Sequence, residues 1–272
     1  MPVLHKDQQL CVSLAARPSN IGTRFHNFLY DELGLPFVYK AFAPRDLGQA
    51  VAGVRGLPIR GASVSMPFKE AVIPLLDGLD RSARTIDSVN TIVNDDGVLT
   101  GYNTDVLAVA TLLRDREVDP SSSVLLRGSG GMARAVLAAL SETGFDDVTV
   151  VARNPEAGRA LANRYDASWL PEVGDVRAAV LVNATPLGMR GPDAGVQSFD
   201  DAAVAAAAVV LDVVAFPADT PLVRAAHGAN RLVITGAEVI ALQAAEQFRL
   251  YTGVTATPEQ VERASAFSRE VV

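Results

Sequence analysis

Val124-Leu125-Leu126-Arg127-Gly128-Ser129-Gly130-Gly131-Met132-Ala133 decides how this chain is read. The apolar stretch Val124–Leu126 has strand character, the glycines form a turn, and Met132–Leu140 reads as the helix that follows. The pattern is G-x-G-G-x-A, set between a strand and a helix. Glycines there let the backbone turn tightly and approach a pyrophosphate, whose charge then lies against the N–H groups at the helix start. Gly128, Ser129, Gly130, Gly131, Met132 and Ala133 are therefore candidate dinucleotide-binding residues. A tight strand-to-helix turn without a ligand is the plainer alternative. The flanking strand, helix and return strand, Val148–Ala152, weigh against it.

The end of the return strand bears on which dinucleotide is expected. A site selective for NAD carries an acidic residue about 20 positions on, accepting from the ribose 2′-hydroxyl. Here the strand ends in Ala152-Arg153-Asn154, with an arginine and no carboxylate. Arg153 has the charge to pair with a 2′-phosphate, so NADP is the expected cofactor. A solvated surface arginine is the alternative.

Outward from this turn, strands and helices alternate. Before it come strand Leu10–Leu14, helix Thr23–Leu33, strand Val38–Phe42, helix Arg45–Val54 and strand Ala62–Ser65, with a helix beginning near Phe68. Asn90–Asn94 and Val98–Thr100 flank Asp95-Asp96-Gly97, a hairpin signal. A helix from Thr104 to about Arg114 leads into the polar connection Glu117–Ser123. Beyond the glycine turn follow helix Pro155–Arg164, strands Ala179–Val182, Val209–Val213 and Leu232–Ile234, and helices Ala237–Tyr251 and Pro258–Ser268. The alanine run Ala202–Ala208 reads as a packed helix. Two alternating series predict two α/β domains with mainly parallel sheets covered on both faces, divided somewhere in residues 101–120.

Composition excludes several function classes. The 272 residues are ordinary in hydrophobic and charged content, so a disordered or repeat-dominated chain is not expected. No apolar stretch approaches the ~18 residues of a membrane-spanning helix, so no membrane association is expected. The start, MPVLHKDQQLCVSL, lacks the pattern of a signal peptide. One cysteine, Cys11, forms no internal disulfide and fits a reducing cytoplasm. A formal charge of −7 without a basic cluster argues against a nucleic-acid partner. His5, His26, His227 and Cys11 are too scattered for a metal-ligand spacing, so no metal is expected. Of 24 basic residues only Lys6, Lys40 and Lys69 are lysines. A lysine kept against that bias suggests a need for a titratable amine, which arginine does not supply.

Five further segments fall into a recognisable order. Gly61-Ala62-Ser63-Val64-Ser65-Met66-Pro67-Phe68-Lys69-Glu70 resembles the G-x-N-V-T-x-P-x-K-E motif of shikimate dehydrogenases. Ser88-Val89-Asn90-Thr91 and Gly101-Tyr102-Asn103-Thr104-Asp105 resemble that family's V-N-T and G-x-N-T-D. Asn183-Ala184-Thr185-Pro186-Leu187-Gly188-Met189 is similar to its N-x-T-P-x-G-M, and Gln243–Phe248 to its C-terminal helix. The resemblance spans about residues 10 to 260 in order.

The resemblance implies a substrate-binding α/β domain over residues 1–103 and a Rossmann-type NADP domain over 104–235. It further implies C-terminal helices, 236–272, that return to the substrate domain. It also implies reversible hydride transfer between NADP(H) and shikimate, or a related cyclic hydroxy acid. In that scheme Lys69 is the acid/base group with Asp105 beside it. Asn90, Asp105 and Gln243 hold substrate hydroxyls, and Ser65 stands where the family has threonine. Asn183, Thr185, Gly188, Met189 and Gly236 belong to the cofactor site. A free lysine is a poor general base near neutrality; partial burial lowers its pKa, whereas a nearby carboxylate holds it charged and oriented. The plainer alternatives are an exposed lysine at a helix start and an aspartate favouring a helix dipole. For the Asn, Asp and Thr set the alternative is capping and turn chemistry.

Departures from the family pattern concentrate where substrate is recognised. The family's two serines in S-x-S-P-x-x-H-N, aligned on His26-Asn27, are here Asn20 and Gly22, with Thr23 next to them. Ala215 stands in place of the tyrosine of D-x-V-Y-x-P, and Ser63 in place of the asparagine of the lysine motif. The expected activity is thus NADP-dependent oxidoreduction of shikimate or a relative such as quinate. Two alternatives stay open: an NADP-dependent reductase of a different substrate with little shikimate activity, and a non-catalytic dinucleotide-binding regulator. Retention of Lys69 and Asp105 argues against the regulator. A homodimer is compatible with the sequence, since an isologous interface leaves no motif.

Overall fold

The computed structural model describes residues 5–270. Residues 1–4, the front of the stretch read for a leader, and 271–272, the end of the expected C-terminal segment, lie outside the described residues. The chain divides into two compact units: one runs to Thr104 and resumes at Ala241, and the other is Asp105–Ile240.

The first unit begins with β1 (Gln9–Leu14), α1 (Asn20–Glu32), β2 (Phe37–Phe42), α2 (Leu47–Gly56) and β3 (Gly61–Val64). It continues with α3 (Phe68–Ala71), β4 (Gly78–Leu79), α4 (Arg81–Ile86), β5 (Thr91–Asp95) and β6 (Val98–Tyr102). Its six-stranded sheet has the order β2-β1-β3-β5-β6-β4. Three of its five strand pairs are parallel, as expected, and the expected hairpin makes the sheet mixed. β1 pairs parallel with β2 and β3, whereas β5 runs antiparallel to both β3 and β6. For the β5–β6 pair the reason is local: Asp96-Gly97 closes a two-residue hairpin turn, and a hairpin can only be antiparallel. Helix α1 starts three residues before the predicted Thr23, bringing Asn20 and Gly22 into its first turn.

The chain leaves this unit in α5 (Thr104–Asp115). In the second unit follow β7 (Val124–Arg127), α6 (Gly131–Glu142), β8 (Val148–Val151), α7 (Pro155–Asn163), β9 (Ser168–Leu170) and β10 (Val180–Asn183). Then come α8 (Asp201–Ala206), β11 (Val209–Asp212), α9 (Pro221–Gly228) and β12 (Leu232–Thr235). All six strands are parallel, in the order β9-β8-β7-β10-β11-β12. Sequence order 3-2-1-4-5-6 is that of the Rossmann fold, whose ligand crevice lies at the carboxyl ends of the two central strands, here β7 and β10. Two elements of this unit lie beyond those expected from the sequence: β9, which is three residues long, and α9, which starts at Pro221 behind the capping Thr220. The alanine run is helical only to Ala206, because Ala207 is already extended toward β11.

The chain ends in α10 (Gly236–Thr252) and α11 (Pro258–Arg269). From Ala241 onward these helices pack in the first unit. Phe248, Tyr251, Val261 and Ala264 bury themselves against Phe25, Leu29 and Tyr39 on one face of its sheet. Each fully buried large side chain contributes about 1.5–3 kcal/mol. Arg60 also holds the junction, donating from Nε to the Tyr251 carbonyl at 2.9 Å and from Nη1 to the Asn94 carbonyl at 2.8 Å. Val12, Leu14, Val51, Val64, Ile92 and Leu99 fill the opposite face, under α2. Among the described residues no helix is long and apolar enough to cross a membrane.

Candidate functional site

The glycine turn lies at the carboxyl end of β7, at the reversal of strand order. Gly128 has φ +129°, and a Cβ on it would sit 2.7 Å from the Ala184 carbonyl oxygen, so only glycine fits. Gly130 is the N-cap of α6 and offers no side chain to the first-turn amides. A Cβ at Gly130 or Gly131 would meet no atom within 4 Å, which leaves the backbone approachable from outside. An uncapped helix start behind an open glycine turn fits the pyrophosphate of a dinucleotide. Ser129 is half-buried on the turn and Met132 half-buried in the first turn of α6, while Ala133 is buried. Arg153 follows β8 and is exposed, beside Asn154, whose Oδ1 caps α7 through the Ala157 amide at 3.1 Å.

The neighbouring segment after β10 is built around Asn183. Its Nδ2 donates to the Leu187 carbonyl at 3.1 Å and to Asp212 Oδ1 at 2.9 Å. Its Oδ1 accepts from Thr185 Oγ1 at 2.6 Å and Thr185 N at 3.2 Å. Asn183 and Thr185 thus shape the loop from inside. Gly188 is buried further along it, and Met189 is exposed at its surface. Gly236 opens α10 against β11: a Cβ there would lie 2.5 Å from the Val213 carbonyl carbon and oxygen. Asp212 was not among the expected site residues. It accepts from Thr220 Oγ1 at 2.6 Å and from the Val214 amide at 3.1 Å, and burial pushes its carboxyl pKa up. The D-x-V segment carried the signal, but only the sheet register reveals its partner.

In the first unit, Asn90 is buried just before β5. Its Oδ1 accepts from Thr91 Oγ1 at 2.8 Å, from the Thr104 amide at 2.9 Å and from Thr104 Oγ1 at 3.2 Å. These donors fix the amide plane, and Nδ2 is a buried donor without a partner. Gln247 on α10 holds the same segment, donating to the Asn90 carbonyl at 3.2 Å and to Thr91 Oγ1 at 2.9 Å. Gln243, the residue singled out from the sequence, lies one turn earlier on α10 and is half-buried. Gln247 was missed although it lies inside the quoted Gln243–Phe248 segment.

A second polar group gathers around Tyr39. Its hydroxyl is 2.6 Å from Ser63 Oγ, and a Cβ on Gly22 would come 3.7 Å from the same hydroxyl. Thr23 Oγ1 is buried without a partner. Asn20, at the start of α1, is exposed. His26 stacks on Tyr39 with ring centroids 4.4 Å apart and 11° between planes. Burial lowers its pKa to about 3, so the ring is neutral at physiological pH and serves packing.

Lys69 is half-buried on α3, and its carbonyl accepts from the Val89 amide at 2.8 Å, which anchors α3 next to Asn90. Ser65 is exposed at the end of β3. Asp105 is buried in the first turn of α5, directly after Thr104, so the Asn90–Thr104 hydrogen bonds position the residue before it.

Comparisons with known proteins find relatives in both sequence and fold. The sequence profile of the shikimate dehydrogenase substrate binding domain matches residues 20–92. A shikimate dehydrogenase-like protein of Haemophilus influenzae is 47% identical over 268 residues, 98% of this chain and 99% of that protein. Among solved structures, a shikimate 5-dehydrogenase-like protein aligns with a TM-score of 0.97 at 46% identity, over 98% of this chain and 100% of that one. The shikimate 5-dehydrogenase of Thermus thermophilus, solved in complex with NADP(H) and shikimate, aligns with a TM-score of 0.86 at 30% identity, over 96% and 100%.

Proposed function

Because the chain belongs to the shikimate dehydrogenase family, we propose that it is an NADP-dependent oxidoreductase acting on shikimate, 3-dehydroshikimate or a related cyclic hydroxy acid. Bound NADP supplies the nicotinamide that exchanges hydride with the substrate carbon. Gly128–Ala133 present backbone amides to the pyrophosphate, and Arg153 pairs with the 2′-phosphate. The Asn183–Met189 loop and Gly236 line the same cofactor site.

The remaining residues act on substrate. Lys69 takes the proton of the hydroxyl group during oxidation and returns it during reduction. The family resemblance assigns Asp105 as the accompanying carboxylate of the acid/base pair. Asn90 offers its unpartnered Nδ2 to a ring hydroxyl, and Ser65, Thr23 and Gln243 supply further polar contacts. Asn20 and Gly22 occupy the positions that hold serines in the family.

The observation that carries this reading is the glycine turn, where Gly128 admits no side chain and the start of α6 is left uncapped. Steady-state rates of NADP reduction with shikimate and with quinate test it, together with the reverse reaction on 3-dehydroshikimate. Turnover with NADP on at least one of these acids is expected. NADP binding without turnover on any of them would favour the second reading, a reductase of a different substrate, which the loss of both serines at Asn20 and Gly22 supports.

A further inference from the structure

Arg127 has no part in the functional reading so far. It is the last residue of β7, directly before Gly128, and is paired in register with Val151 of β8. Arg153 follows Val151 by two positions, so both arginines emerge at the carboxyl ends of adjacent strands. The Arg127 side chain is half-buried, and its Nη1 donates to the Ser198 carbonyl. It lines an open depression of about 620 Å³ with Glu172–Gly174 and Gln197–Asp201.

The acids of this depression are engaged elsewhere or exposed. Asp200 accepts from the Ala203 amide at 2.6 Å and lies 3.6 Å from Arg177. Asp201 accepts from Gln197 at 2.8 Å, and Glu172 is exposed. Among the described residues neither Arg127 nor Arg153 forms an ion pair with a carboxylate. The two guanidiniums lie in each other's field: burial, and then the charge of Arg153, lower the Arg127 pKa. Burial and the neighbouring exposed Arg153 both disfavour the charge of half-buried Arg127, and an anion between the two would relieve this. A doubly charged phosphate with three acceptor oxygens suits two guanidinium forks.

We infer that Arg127 and Arg153 clamp the 2′-phosphate of NADP from two adjacent strands, making Arg127 a second specificity-determining residue for the cofactor. This rests on the proposed NADP-dependent function. It adds that selectivity comes from a pair of arginines, one of them directly before the first glycine of the turn.

Calorimetric titration of the whole chain with NADP, NAD, 2′,5′-ADP and 5′-ADP tests it. In Arg127→Leu, affinity for NADP and for 2′,5′-ADP should fall about 10- to 100-fold, the weight of a hydrogen-bonded charge pair, with NAD and 5′-ADP little changed. Arg127→Lys keeps a charge but not the fork, and should lose a smaller part of the NADP preference. Equal weakening of NADP and NAD would assign Arg127 to the pyrophosphate and overturn the inference. So would an unchanged NADP-to-NAD ratio in a wild type that prefers NADP. If Arg127→Leu does not fold, the ratio in Arg127→Lys decides in the same way. A wild type without preference between the dinucleotides would instead overturn the cofactor assignment on which the clamp rests.

Discussion

Asn183 and Asp212 face each other in register at the carboxyl ends of β10 and β11, and Asn183 Nδ2 donates to Asp212 Oδ1 at 2.9 Å. Both residues are fully buried. Asp212 also receives Thr220 Oγ1, which caps α9, so one carboxylate joins the loop after β10 to the helix after β11. Burial alone disfavours this charge, and three donors offset the cost.

Removing that acceptor leaves Asn183 Nδ2, Thr220 Oγ1 and the Val214 amide without it. Asp212→Ala should destabilise the protein by about 2–4 kcal/mol, since buried polar groups left unsatisfied cost about 1–3 kcal/mol each and partly relax. Urea unfolding measures this, and a loss below about 1 kcal/mol would mean that water replaces the carboxylate.

His26 makes stability depend on acid. Its folded pKa of about 3 lies below the ordinary value of 6.5, so below that value the unfolded chain binds the proton that the native chain refuses. Stability is therefore lost as pH falls from 6.5 toward 3, by about 1.4 kcal/mol per unit. At pH 5 the loss from His26 is about 2 kcal/mol relative to neutral pH. Denaturant unfolding at the two pH values should show a smaller difference in His26→Phe, and an equal difference would exclude His26 as the source.

Lys69→Ala should lower turnover by about 10²–10⁴-fold while NADP affinity stays near wild type, as expected for loss of a general acid–base group. Single-turnover kinetics alongside calorimetry separates the two effects. Wild-type turnover in the variant would remove Lys69 from the chemistry.

On the reading that Asn20 and Gly22 replace the two carboxylate-binding serines of the family, shikimate should bind the wild type weakly. A Cβ on Gly22 would lie 3.7 Å from the Tyr39 hydroxyl, an ordinary van der Waals contact. The double variant Asn20→Ser, Gly22→Ser should lower KM for shikimate by about 10- to 100-fold, with little change in kcat if the contacts act equally in ground and transition states. Tight binding by the wild type would contradict this.

Alternation of apolar strands with helices, and the glycine turn between two of them, were enough to read two α/β units and a dinucleotide site. Those signals are local: a strand's period, a helix stop and the steric demand of one turn are written within a few residues of each other. Gly128 was legible for that reason, since its role depends on the backbone at its own position. The Asp95-Asp96-Gly97 hairpin was legible in the same way, but its place beside β3 was not, because strand order depends on which surfaces pack. Asp212 and Gln247 escaped for the same reason. Asp212 meets Asn183 across 29 residues, and Gln247 meets Thr91 across 156. A hydrogen bond between groups so far apart in the chain leaves no local pattern, and only folding brings donor and acceptor to the 2.9 Å that both pairs show.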